Sequence, residues 1–451
     1  MPQDEYGGFV LLQILVSLGL TFGSFGMESV ITRFIAATED EEERQKIVNT
    51  GLLFILSCLS LTCILIFIFQ DFFSQLLSGY IPKNLLVYVP ILLLLEGTLS
   101  IFSFSLEGKQ KFNILARMNF IYGLFSLILT ILFVIYLKLG ALGLVWARLI
   151  PEIITCTISI LSVKVKINFR FDTEIFRKMF KFSIPLYGNN LLAFTYSRVD
   201  TIIIGIFFGP AQIAIYDFAR RIPDSLEILF TAFNSAYFPY LTNIFTGGNK
   251  ERTARTINYA NRAICLIGGL LVLSAYGFGE WGFRLLFSEK YLVSVPAFNL
   301  LMIVLIFRVL DSNLGYSLIA IGQSDKPFFL NVIRFVIVFA SYFLLIPRFG
   351  IIGAVLSSLI GLAAVNPLNA YCLQRQSIKI IMSEYMKPLL LMLLGCIPFY
   401  FLEYDLPLSF FIILLFCGAC YLWNVLRIED IKIIRDEVFR FIAKFKRGAP
   451  A

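Results

Sequence analysis

Residues 210–245 form an apolar run that carries Asp217, Arg220, Arg221, Asp224 and Glu227, spaced by three and four. On a helix this spacing gathers all five on one face. The run before it, 183–208, carries Arg198 and Asp200 in mid-span. The chemistry open to such a set is electrostatic. Arginine stays charged when buried, and its planar fork grips oxyanions through paired hydrogen bonds. Carboxylates at the same depth either hold those arginines or load and unload a proton. Histidine chemistry is out of reach, because the chain contains no His. That removes His metal sites as well, and no cofactor or metal is expected.

These charges need elements that can hold them in a bilayer. Of 451 residues, 58% are hydrophobic and 15% charged, with a mean hydropathy of +0.82, which describes an all-α polytopic membrane protein. Each ion at bilayer depth costs roughly 2.5–3.5 kcal/mol on insertion scales, so the charged face must look at a polar interior and not at lipid. The eight Cys lie in apolar segments and read as small core residues; the Cys417–Cys420 spacing carries no redox or metal motif here.

Thirteen apolar spans are expected, at about 8–25, 50–69, 84–105, 117–137, 141–163, 183–208, 211–240, 262–280, 295–321, 327–346, 351–372, 386–402 and 407–426. Most of the 38 Lys and Arg fall in alternate loops. Clusters such as Lys164–Lys166–Arg170 and the tail beyond Arg427 mark one side, while the other side holds Lys83, Lys138, Arg284, Lys290 and Arg348. The positive-inside rule makes the rich side cytoplasmic, with the C-terminus on it. The net charge of +8 is thereby explained by topology, and no nucleic-acid partner is expected.

The sequence also repeats itself at an offset of about 210 residues. Pro2 and Tyr6 correspond to Pro210 and Tyr216, Gly140-Ala-Leu-Gly143 to Gly350-Ile-Ile-Gly353, and Gly108 and Asn119 to Gly322 and Asn331. Run 183–208 has no counterpart ahead of Pro2, so the expected design has fourteen spans with the first helix missing from this chain. The fold expected is two parallel six-helix repeats around a central cavity, plus a C-terminal helix pair. The parts are a first lobe at 1–163, a linker at 164–182, a second lobe at 183–372, the helix pair at 373–428 and a basic amphipathic tail at 429–451. Linker and tail alternate bases with aromatic or aliphatic residues, a pattern that fits helices lying on lipid headgroups or ordinary basic flanks.

At EYGGFVLLQILVSLGL, SFGMESVITRF, SRVDTIIIGIFFGP, IAIYDFARRI and GQSDKPFFLNV the sequence resembles bacterial polysaccharide and O-antigen flippases. Those belong to the multidrug/oligosaccharidyl-lipid/polysaccharide exporter superfamily, and the likeness covers nearly the whole chain. It implies movement of polyprenyl-pyrophosphate-linked oligosaccharide across the cytoplasmic membrane by alternating access, without bond-making catalysis. Membrane lipids and polysaccharide polymerase machinery are the further partners it suggests.

For such a cargo, cavity arginines would meet the diphosphate: Arg198, Arg220 and Arg221 first, then Arg334, with Arg148 and Arg308. Helical spacing sets Arg148 beside Glu152, Asp217 beside Arg221, Arg220 beside Asp224 and Arg308 beside Asp311, so these could equally be internal ion pairs. Arg198 and Arg334 have no acid at helical spacing and are expected to be free. Glu96, Asp200, Asp217 and Asp224 are the candidate coupling or gating acids, with helix-packing roles as the alternative for Glu96 and Asp200. Asn189 and Asn190 could face sugars or bond between helices. Two other functions compete. A cation-coupled antiporter of drugs or metabolites would favour acids over arginines in its cavity. A membrane polymerase or ligase would need a large outer domain, and the outer loops are short.

Overall fold

The computed structural model describes residues 1–69, 83–163, 168, 170–287, 289–323, 325–401 and 406–423. The expected amphipathic tail, the loop at 71–82 and most of the first part of the linker lie outside the described residues. Every regular element among the described residues is a helix. We label the main ones α1 (Gln3–Ser24), α2 (Met27–Ala37), α3 (Glu41–Ile68), α4 (Tyr88–Gly108), α5 (Phe112–Thr130), α6 (Gly140–Val163) and α7 (Thr173–Phe208). There follow α8 (Pro210–Thr246), α9 (Lys250–Leu286), α10 (Val295–Ala320), α11 (Asp325–Arg375), α12 (Met382–Cys396) and α13 (Leu406–Leu422).

The helix starts are set by local chemistry. Asp40 caps α3 by accepting from the Glu42 amide, ahead of three glutamates in the first turn. Asp172 caps α7 by accepting from Glu174 and Ile175, and Asn249 caps α9 through Arg252. Such caps satisfy amides that have no partner inside the helix, and acids there favour its positive end.

Among the described residues, eight helices are long and apolar enough to cross a membrane, or nine if the bent α7 is counted. Thirteen spans were expected, and the difference has identifiable sources. The 51 residues of α11 would run about 77 Å as one rod, more than twice a hydrocarbon core. The helix breaks at Gly350, whose φ of 58° and ψ of −135° are not helical, between the two spans expected there. The charges in the first half of α8 and the Asn, Tyr, Thr and Pro residues in its second keep that helix out of the apolar count, and α12 and α13 are short, at 15 and 17 residues.

The chain divides into two compact units, Met1–Asp217 and Phe218–Ala451. In the first, α6 packs between α4 and α5, and α4 also meets α1, α2 and α3. Helix α7 docks on α1, α2 and α3 at the corner between α1 and α2. Phe25 and Gly26 turn that corner with φ of 49° and 70°. The Phe25 ring stacks on Tyr187 at 4.9 Å, and its carbonyl accepts from the Ser183 hydroxyl. Gly7 lies directly against the Pro210 backbone, leaving no space for a side chain. The outer face of α5, with Phe120 71% exposed, is apolar and suited to hydrocarbon.

In the second unit α10 packs between α9 and α11, and α12 and α13 lie on α9 and on each other. Gly140 and Gly350, paired in the sequence repeat, both take a positive φ, of 59° and 58°. Three residues on, Gly143 and Gly353 each press against main chain, at Phe133 and Leu345 respectively.

A Cβ at Gly353 would meet the Leu345 carbonyl, which cannot move as a side chain can. Gly353→Val should therefore cost about 1–3 kcal/mol by overpacking. The readout is thermal unfolding in detergent, with Tm lowered by several degrees. Gly123→Ala is the control, since nothing lies within 4 Å of its added carbon.

Candidate functional site

In the second unit the charged face of α8 meets α10. Arg220 Nε lies 3.1 Å from Asp224 Oδ2, the pair expected from their spacing. Arg308 of α10 reaches across to the same face, 3.6 Å from Asp224 Oδ1 and 2.5 Å from Glu227 Oε2. The ladder Arg220–Asp224–Arg308–Glu227 thus alternates in sign and sums to zero. Farther along, Asn234 donates to Ser312 at 3.1 Å and Tyr237 bonds Ser317 at 2.9 Å. Contacts advance in the same direction on both helices, so α8 and α10 run parallel along a polar seam.

The other sides of α10 are polar too. Asp311 is 8% exposed, pairs with Arg334 of α11 and accepts from Asn369 at 2.9 Å. Asn366 donates to the Phe307 carbonyl at 3.0 Å, and Asn313 to Asn261 of α9 at 2.7 Å. Helix α10 therefore bonds to α8, α9 and α11 at once.

The first unit holds a second cluster. Arg148 of α6 lies between Glu96 of α4 and Glu152 one turn on, with Nε 2.8 Å from Glu152 Oε1. One guanidinium serves two carboxylates, and Glu152 is 3% exposed. At the start of α8, Tyr216 donates to Asp200 Oδ2 at 2.6 Å and Tyr6 of α1 donates to Asp217 Oδ2 at 2.6 Å. Asp200 also accepts from the Thr201 amide and hydroxyl. It is a buried acceptor that fastens α7 to α8.

Several expectations from spacing change here. Arg308 pairs with Asp224 and Glu227, and Asp311 with Arg334, in place of an Arg308–Asp311 pair within α10. Arg334 is not free: the preceding helix supplies its acid, which sequence distance conceals. Arg198, half-buried on α7, is also engaged. Lone arginines at membrane depth are too costly to leave uncompensated, so tertiary partners appear where helical spacing offers none. Arg221 is exposed and lies over the Phe218 ring at 5.0 Å, so a cation–π contact holds it. Of the two asparagines singled out on α7, Asn190 is half-buried, and the Asn189 side chain lies outside the described residues.

Sequence reasoning missed the seam's neutral members: Asn234, Tyr237, Asn261, Asn313, Asn366 and Asn369. Of these amides, only Asn366 and Asn369, three residues apart in an apolar helix, form a pattern in the sequence; the others are single polar residues whose partner helices it does not reveal. Among the described residues no group of three or more His, Cys, Asp or Glu is placed to hold a metal ion.

Removing one partner of a buried pair leaves the other charge stranded, at a cost of about 3–5 kcal/mol. Asp311→Asn and Arg334→Gln should each lower the yield of folded protein in detergent. The double variant should lose less than the sum of the two, with coupling of about 1–3 kcal/mol from thermal unfolding.

Comparisons with known proteins agree with this architecture. Residues 1–296 match the family described as polysaccharide biosynthesis protein. A putative O-antigen transporter of Shigella flexneri is 23% identical over 78% of this chain and 86% of its own. A probable low-salt glycan biosynthesis flippase of Haloferax volcanii is 21% identical, over 82% of this chain and 76% of its own. In fold, the chain is similar to an inward-facing multidrug resistance MATE family transporter of the MOP superfamily. That match has a TM-score of 0.70 at 17% identity, covering 83% of this chain and 91% of the transporter. It is likewise similar to the lipid II flippase MurJ in an inward closed conformation, with a TM-score of 0.69 at 16% identity over 94% and 98% of the two chains. These relatives are transporters and flippases, not enzymes. With two thirds of its length matching and its helices arranged as in that superfamily, the chain belongs to the polysaccharide biosynthesis protein family of multi-pass membrane transporters.

Proposed function

We propose that this protein is a flippase that moves polyprenyl-pyrophosphate-linked oligosaccharide units across the cytoplasmic membrane by alternating access, for cell-surface polysaccharide synthesis. The proposal includes thirteen spans, two six-helix repeats around a cavity and a cytoplasmic C-terminus. The observation that carries it is the α8–α10 ladder in a chain of this family. Arg308 keeps 33% of its side chain exposed and Arg221 is exposed, whereas Arg148 and Arg334 are each 15% exposed and held by acids. An exchangeable guanidinium suits a diphosphate that must be bound and then released, because phosphate oxygens can replace carboxylate oxygens at the same fork. Arg221 and Arg308 are the proposed cargo contacts, with Arg220, 10% exposed, acting through Asp224, which it shares with Arg308; in the first unit Arg198 is a further proposed contact. Arg148 and Arg334 serve as internal ion pairs, and Asp224 and Glu227 as the carboxylates that cargo displaces.

A second reading, a cation-coupled antiporter, is favoured by one feature: two carboxylates share Arg148 in the first unit. Such an excess of acid suits a transported or coupling cation.

A strain lacking the gene should accumulate the complete lipid-linked repeat unit, quantified by mass spectrometry of extracted lipids. Expression of the chain should clear it. Arg220→Ala/Arg221→Ala should slow clearing at least tenfold, and the corresponding Lys double variant should retain part of the activity, because lysine keeps charge without the fork. No accumulation, with unchanged surface glycan, would overturn the flippase reading and favour the antiporter.

A further inference from the structure

Asn49 on α3 and Asn258 on α9 lie about 210 residues apart, the offset of the internal repeat. Both are buried, at 3% and 6% exposure. Each donates its amide Nδ2 to the carbonyl four residues back, Gln45 at 2.9 Å and Ala254 at 2.8 Å. Each also offers its Oδ1 to a backbone amide far along the chain. Asn49 accepts from Asn168 at 3.0 Å, and Asn258 accepts from Ile381 at 2.8 Å. Asn258 further donates to the Lys379 carbonyl at 2.8 Å.

The segments held in this way occupy matching places. Asn168 follows α6, which ends at Val163, and Lys379 and Ile381 follow α11, which ends at Arg375. In both cases the next residues begin another helix. Asp172 caps α7, and its amide donates to the Thr50 hydroxyl at 3.2 Å, one residue beyond Asn49. Ile381 occupies the cap position of α12 and has no side chain with which to cap it. Asn258 accepts from the N–H of Ile381 itself and so holds the residue at which the helix begins.

We propose that Asn49 and Asn258 are equivalent positioning residues, each anchoring the exit segment of its own half and fixing where the next helix starts. The anchor at Asn49 delivers α7 to α1, α2 and α3, and the anchor at Asn258 delivers α12 to α9. A buried side-chain amide suits this task because it presents donor and acceptor together and can satisfy a non-helical backbone that has no ladder partner. The contacts with Asn168, Ile381 and Lys379 link residues more than a hundred positions apart, so no local turn explains them.

The test is hydrogen exchange by mass spectrometry on the full chain in detergent or nanodiscs, comparing peptides spanning residues 165–176 and 376–385. Asn49→Leu should speed exchange in the first peptide at least tenfold and leave the second unchanged. Asn258→Leu should do the reverse. Asn49→Asp keeps an acceptor for Asn168 and should stay close to the parent in the first peptide. If Asn49→Leu does not fold, Thr50→Val reads the same anchor through the Asp172 amide. Exchange unchanged in both peptides would overturn the proposal. So would both peptides changing together in either Leu variant, which would mark general loosening, or Asn49→Asp behaving like Asn49→Leu.

Discussion

A guanidinium inside hydrocarbon must bring its counter-charge with it, and much of this protein's interior follows from that constraint. Neither the cost of a bare charge nor the cost of a bare amide can be offset by water at that depth. The chain answers by pairing across helices. Arg148 takes acids from α4 and α6, Arg308 takes acids from α8, and Arg334 takes Asp311 from α10. Each pair fixes a distance and an azimuth between two helices, something that apolar packing against lipid-like side chains does poorly. Ionic contacts thus do the specifying, and leucine, isoleucine and phenylalanine do the filling.

Those pairs differ in how tightly they are enclosed, and the difference bears on transport. Arg148 and Arg334 are enclosed and matched to nearby acids, which suits parts that stay together. The α8–α10 ladder is more open, with carboxylates on one helix and a guanidinium on the other. Under the proposed function, an anionic cargo would compete with Asp224 and Glu227 for Arg308.

Much of the helical layout could be read from the sequence, because hydropathy and the three- and four-residue spacing act locally. The charged face of α8, the Arg148–Glu152 and Arg220–Asp224 pairs and the breaks at Gly140 and Gly350 all depend on neighbours within a few residues. Partners of Arg308 and Arg334 could not be read in this way, since their acids lie on other helices. Nor could the docking of α7 on the corner at Phe25, which depends on a stacked ring and one hydroxyl. The amides of α9, α10 and α11 were passed over because a single Asn in an apolar helix carries little signal until its partner helix is known.

Helix α10 has hydrogen bonds or ion pairs to three neighbours, at Arg308, Asp311, Ser312, Asn313 and Ser317. A slide of one helical turn, about 5.4 Å, would break the Asp311–Arg334 pair and the Asn313–Asn261 bond together. Intermediate slides are no better, since hydrogen bonds fade within a few tenths of an ångström. The helix therefore has no gradual path past α9 or α11. A force applied to α9, α10 or α11 is therefore passed to the other two as to a keyed shaft.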